Sequence, residues 1–163
     1  MSIQIDIKIK VLLVDDLKDN LLALEALLRQ NDLEIFTAKS GNEALDFMML
    51  HEFALALIDV NMPGMSGFEL AELMRGVIQT KNIPIVFVTA TASPQSFSFK
   101  GYESGAVDFL LKPLDPHAVK SKVNIFIENY RYKKEKEKLL AKLKETQAEL
   151  EHVKKNCAQN HAD

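Results

Sequence analysis

The chain has 163 residues, 47% of them hydrophobic and 26% charged, a composition that excludes a disordered chain and fits one domain with an appendage. Its net charge of −3 is unevenly spread, with 15 acidic against 9 basic residues through Leu114 and 11 basic against 8 acidic beyond it, and the acidic first part argues against nucleic acid as a partner. The single Cys157 rules out an internal disulfide, and no run approaches the roughly 20 apolar residues of a membrane span.

Met1 to Lys10 alternates Ile with polar residues and has no apolar core of signal-peptide length, so a cytoplasmic location is expected. Ile9 to Val14 reads as a strand from its β-branched content, and Asp15-Asp16 ends it. Leu17 to Gln30 reads as a helix with a broad apolar face. Leu33 to Ala38 is a second strand, and Ser40 with Glu43 makes a capping box for a helix to about His51. Ala54 to Ile58 is a short apolar run closed by Asp59 and the Pro63-Gly64 turn, the pattern of a parallel strand buried on both faces. Ser66, with Glu69 at the box position, opens a helix to about Arg75. Pro84 to Ala90 is a fourth strand, and Ser93-Pro94 starts a helix to about Ser104. Gly105 to Leu111 is the last strand, and Asp115-Pro116 opens the last helix.

Five strands alternating with five helices predict an α/β fold built on a doubly wound five-stranded parallel sheet. Four of the strands deliver polar residues to one edge: Asp15 and Asp16, Asp59, Thr89, and Lys112. In such a sheet this is the edge where ligands bind. Three crowded carboxylates repel one another, and a hard divalent cation such as Mg²⁺ relieves them; no His or Cys in the motif favours zinc. Asp59 is then placed as a nucleophile toward phosphorus, with Lys112 neutralising charge and Thr89 donating a hydrogen bond.

At these residues the sequence resembles the receiver domain of two-component response regulators, the CheY-like family of flavodoxin-like fold. The matching features are Asp15-Asp16, the stretch from Asp59 through Asn61, Pro63 and Gly64 to Gly67, Thr89-Ala90 and Lys112-Pro113, spread over residues 9 to 128. The resemblance implies transfer of a phosphoryl group from the phosphohistidine of a sensor histidine kinase or phosphotransfer protein to Asp59. It implies that Asp16, Asp59 and the Asn61 carbonyl bind Mg²⁺, with Asp15 acting through water, and that Thr89, Ala90 and Lys112 surround the phosphate. Thr89 and Phe109 take the places of the switch hydroxyl and switch aromatic.

Taken singly, the same residues also have ordinary structural roles. Asp15-Asp16 caps a helix in many proteins, Asp59 suits an Asx turn, and Thr89 has ordinary strand propensity. His51, His117, His152 and His161 show no metal or catalytic spacing and are expected at the surface, while Met48, Met49, Met62, Met65 and Met74 are expected in core and loops. An Asp-nucleophile phosphatase of the haloacid-dehalogenase kind wants Asp-x-Asp-x-Thr where this chain has Asn61 and Pro63. A flavodoxin-like nucleotide binder wants a hydroxyl- or glycine-rich loop where it has Asp15-Asp16. No enzyme activity is expected beyond phosphorylation and dephosphorylation of Asp59 itself.

After Pro116 the chain contains neither Gly nor Pro. Ile125, Tyr132, Leu139, Thr146 and Val153 recur every seven residues, and Asn129, Lys136, Leu143, Leu150 and Cys157 follow each by four. These are d and a rows of a coiled-coil seam, imperfect at Asn129, Lys136 and Thr146, and predict a parallel homodimer through helix 116–157, with Glu128–Lys133 and Glu149–Lys154 as interchain pairs; the alternative is a solvated single helix held by local Glu and Lys pairs around 133 to 145. The expected division is a receiver domain at 1–128 and a helical extension or linker at 129–163. No DNA-binding motif, kinase ATP site or cyclase-like segment follows, so a linker to a separate effector is expected.

Overall fold

The apolar runs become strands close to where the sequence places them. The structure, a computed structural model, describes residues 8–90 and 108–162. In chain order the elements are β1 (Ile9–Val14), α1 (Lys18–Leu28), β2 (Leu33–Ala38), α2 (Gly41–Leu50), β3 (Leu55–Asp59), α3 (Gly67–Arg75), β4 (Ile85–Thr89), β5 (Asp108–Leu111) and α4 (Pro116–Asn160). All four strand pairings are parallel, in the order β2-β1-β3-β4-β5. This is the flavodoxin-like order, whose reversal of winding falls between β1 and β3.

Every residue of β3 and β4 is buried, so both faces of the sheet centre are covered. Two-residue alternation sorts them. Leu12, Val14, Ala56, Ile58, Ile85 and Phe87 point to one face, where Ala44 and Met48 of α2 and Phe68, Ala71 and Met74 of α3 complete the core. The alternate residues Val11, Leu13, Leu55, Leu57, Val86 and Val88 serve the other face, with Leu21, Leu24 and Leu28 of α1 and Val119, Val123 and Ile127 of α4 buried there. Burying each such Leu, Val or Phe contributes about 1.5–3 kcal/mol, and these contacts hold the strand ends in register.

Local differences from expectation have local causes. The Ser66–Glu69 capping box is complete: Ser66 Oγ accepts the Glu69 N–H and Glu69 Oε2 accepts the Ser66 N–H. At α2 only half of the expected box forms. Ser40 Oγ accepts from Glu43 N–H, but the Glu43 carboxylate reaches back to Lys39 N–H instead. His51 is half-buried rather than exposed: its ring lies 4.6 Å from that of Phe36 and its Nδ1 is 2.9 Å from Lys10 Nζ. Met49 belongs to neither core nor loop, standing 58% exposed on α2. The Lys112–Pro113 peptide bond is cis. The helix expected from Ser93 to Ser104, and residues 105–107 of the last strand, lie outside the described residues.

The chain divides into two compact units, Met1–Ile127 and Glu128–Asp163. In the second, Tyr132, Leu139, Leu143, Leu150 and Val153 are all more than half exposed, and Thr146 returns its hydroxyl to the Lys142 carbonyl at 3.0 Å. Local pairs Glu128–Arg131 and Lys134–Glu137 lie along the helix. Among the described residues no helix is long and apolar enough to cross a membrane.

Candidate functional site

β1 and β3, the neighbouring strands between which the winding reverses, lead into carboxylates at the same edge. The Asp15 N–H donates to the Ala38 carbonyl at 3.1 Å, which extends the β1–β2 ladder by one residue and fixes where the side chain leaves. Its carboxylate then has two local duties. Oδ1 accepts the Leu17 N–H at 2.9 Å, turning the chain into α1, and Oδ2 accepts from Asn20 Nδ2 at 3.0 Å. Asp15 therefore does organise the start of a helix, yet the same group belongs to the rim. Asn20 carries no signal in the sequence, because an amide five residues away along a helix matches no motif.

Asp59 closes β3 level with Val88 of β4 and is buried. The Val60 N–H donates to the Val88 carbonyl at 3.1 Å, and the Gly67 N–H to the Val60 carbonyl at 2.9 Å. The first turn of α3 thus docks directly against the backbone that presents Asp59. Lys112 is placed by its own N–H, which donates to the Thr89 carbonyl at 2.8 Å. Its Nζ then lies 3.4 Å from Asp59 Oδ1 and 3.6 Å from Asp15 Oδ2.

One ligand oxygen from each of Asp15, Asp16 and Asp59 falls within 4.8 Å of the others. Burial, first, pushes the Asp59 carboxyl above the usual carboxylate range; Asp15 and Asp16 push the same way, while Lys112 opposes them by charge and hydrogen bond. The ammonium therefore does not offset the whole burden on Asp59. An all-oxygen donor set with uncompensated negative charge is what a hard divalent cation requires, so the residues fit one.

Thr89 is buried at the end of β4, and Ala90 follows it exposed. Phe109 pairs in register with Phe87, its ring 5.7 Å away, while Thr89 pairs with Leu111. By two-residue alternation Thr89 and Phe109 share the sheet face covered by α2 and α3, whereas Asp59 lies on the opposite one. Asn61 is exposed two residues after Asp59. Beside the rim a pocket of about 300 Å³ is lined by Asp15, Asn20, Leu24, Leu27, Lys112 and Leu114, among others.

Residues 11–124 match the response regulator receiver domain family, and the chain belongs to it. Among curated proteins it is 35% identical over 123 residues to a "Probable cyclic di-GMP phosphodiesterase" of Vibrio cholerae, covering 76% of this chain and 27% of that one. It is 39% identical over 106 residues to the "Response regulator PleD" of Caulobacter vibrioides, covering 65% and 23%. The chain thus spans about a quarter of the length of either protein. Among solved structures, the chemotaxis protein CheY4 of Vibrio cholerae superimposes with a TM-score of 0.68 at 33% identity, over 73% of this chain and 98% of that one. This is a receiver domain of two-component signalling, and that membership favours the receiver over the phosphatase and nucleotide-binding alternatives.

Proposed function

We propose that Asp59 accepts a phosphoryl group from the phosphohistidine of a sensor histidine kinase or phosphotransfer protein. The observation that carries this is the Asp59 carboxylate itself, buried at the end of β3 with Lys112 Nζ 3.4 Å away. In the transfer an Asp59 oxygen attacks phosphorus in line, the P–N bond to the donor imidazole breaks, and its electron pair stays on that nitrogen. Lys112 draws the equatorial oxygens, and the Thr89 hydroxyl and Ala90 N–H hold them once transferred. Asp16, Asp59 and the Asn61 carbonyl would hold Mg²⁺, with Asp15 acting through water, and the bound ion would neutralise charge on the phosphoryl oxygens. Asn61 stands where a phosphatase would carry an acid/base Asp, so the acyl phosphate persists as a signal and turnover is confined to Asp59 itself.

Phosphorylation draws Thr89 toward the phosphate and Phe109 inward, and the change passes to the C-terminal helix and to an effector. In this reading residues 1–128 are the receiver and residues 129–163 a coiled-coil linker that pairs in parallel with a second copy through helix 116–157. The setting is the cytoplasm, with no direct contact of this chain to membrane or nucleic acid.

Incubation with a small acyl phosphate and Mg²⁺, followed by intact mass spectrometry, tests the acceptor. One phosphoryl unit per chain is expected, absent in Asp59→Asn. Rapid multiple-turnover hydrolysis, or retention of a flavin, overturns the reading.

A further inference from the structure

Lys122 sits one residue before the buried Val123 on α4 and reaches the edge strand β5. Its Nζ lies 3.0 Å from Asp108 Oδ1 and 2.8 Å from the Phe109 carbonyl oxygen. The same Asp108 oxygen accepts the Phe109 N–H at 2.7 Å. Asp108 and Lys122 together therefore hold both polar groups of the Phe109 backbone.

Among the described residues β5 runs from Asp108 to Leu111. At its other end Leu111 pairs with Thr89, and Lys112 leaves the strand toward Asp59 and Asp15. Within five consecutive residues the strand thus carries both the anchorage of α4, at Asp108 and Phe109, and the cation of the site, Lys112. Asp108, Leu110 and Lys112 alternate onto one face of the strand. That is the face on which α4 buries Val119, Val123 and Ile127.

The chemistry of the contact suits a joint that is remade. The Lys122 and Asp108 side chains are 35% and 38% exposed, so water replaces either partner at little cost. A permanent anchor would be expected deeper. The Phe109 carbonyl gives Lys122 a target that moves only when the strand backbone moves.

We propose that Lys122 is a positioning residue: through its contacts with Asp108 and the Phe109 carbonyl, it makes α4 follow β5 when Asp59 is phosphorylated. The inference rests on Asp59 being the phosphoryl acceptor. Lys122 does not touch the reacting atoms. Its removal leaves acceptance intact and uncouples the helix.

Amide hydrogen exchange of residues 116–127, compared with and without beryllofluoride plus Mg²⁺ as the phosphoryl mimic, reads this coupling in the full chain. The wild type is expected to change exchange there by about fivefold. Lys122→Met should accept a phosphoryl group from a small acyl phosphate within about twofold of the wild-type rate, yet lose most of that change. Lys122→Arg, which keeps the charge and donors, should restore it. A purely structural role would loosen the helix equally in both states and leave the difference between them intact, which overturns the proposal. Asp108→Asn keeps an acceptor for the Phe109 N–H but loses the charge, so a full wild-type change in that variant overturns it as well. A wild type that binds the mimic without any change in 116–127 also overturns the coupling, leaving the acceptor reading in place. Failure of the wild type to take up either mimic or phosphoryl group overturns that reading and the coupling together.

Discussion

Gly67 lies so close to Asp59 that a Cβ added there would press into the Asp59 carbonyl oxygen and stand 3.0 Å from the Val60 Cα. Both obstacles are backbone, so no side chain can swing aside to make room. Gly67→Ala must therefore push α3 off the end of β3 or tilt the peptide that presents Asp59. A loss of about 1–3 kcal/mol is expected in urea denaturation. Phosphoryl acceptance from a small donor should slow more than stability alone explains, measured at a temperature where the variant is fully folded.

Asp59 predicts an unusual direction of pH dependence. Its carboxyl is raised by burial and by its acidic neighbours, so the folded state holds the proton more tightly than the unfolded one. The stability linked to that proton is complete below the usual carboxylate range and is lost as pH rises through the raised folded value. Without divalent cation, Asp59→Asn should therefore melt higher than the wild type at pH 7, by roughly 2–4 °C for each kcal/mol relieved. The gap should close as pH falls toward 4. Adding Mg²⁺ should stabilise the wild type by about 2.7 kcal/mol at one hundred times its dissociation constant, and the variant far less.

Lys112 faces two opposed demands, since it offsets the carboxylates at rest and competes with any cation for them. Lys112→Met should bind Mg²⁺ more tightly in calorimetric titration, by about three- to tenfold, because a like charge has been removed. The same variant should accept a phosphoryl group at least about 100-fold more slowly, since a donor aimed at the developing charge is gone. Parallel losses in both measurements would refute this division of labour.

The helical tail offers a geometric test. In a parallel, in-register pair the two Cys157 side chains meet at an a position, whereas an antiparallel pair separates them by most of the helix. Cys157 is exposed and free in the single chain. Mild oxidation should therefore give a disulfide-linked dimer, abolished by Cys157→Ser. Leu143→Ala with Leu150→Ala, each expected to cost about 2–5 kcal/mol when its side chain is buried in a pair, should leave a monomer in sedimentation equilibrium.

The strands and the rim are legible in the sequence because each is written in contiguous residues: apolar runs, followed within one or two positions by Asp15, Asp59, Thr89 or Lys112. The order of the strands is not legible from periodicity, because hydrophobic alternation records burial and not neighbours. The half-formed box at Ser40 leaves no mark in the sequence because Lys39 N–H competes for Glu43, a choice made by backbone geometry one residue upstream. His51, at the end of α2, gives no sign of its packing because its partners, Lys10 and Phe36, come from β1 and β2. Lys122 is silent for the same reason, since its role exists only once α4 meets β5, whereas Asn20 is silent because an amide five residues from its partner matches no motif.

The rim also sets a charge balance with a consequence of its own. Three carboxylates and the Lys112 ammonium leave two units of negative charge, which one divalent cation cancels. Converting the Asp59 carboxylate to an acyl phosphate adds up to one further negative unit. Lys112 is already committed to Asp15 and Asp59, so the surplus falls to neutral dipoles. With Asp59 as the proposed acceptor, phosphorylation would turn a balanced site into one that attracts hydroxyl and amide donors, and the charge imbalance alone would draw in a Thr hydroxyl on the neighbouring strand end.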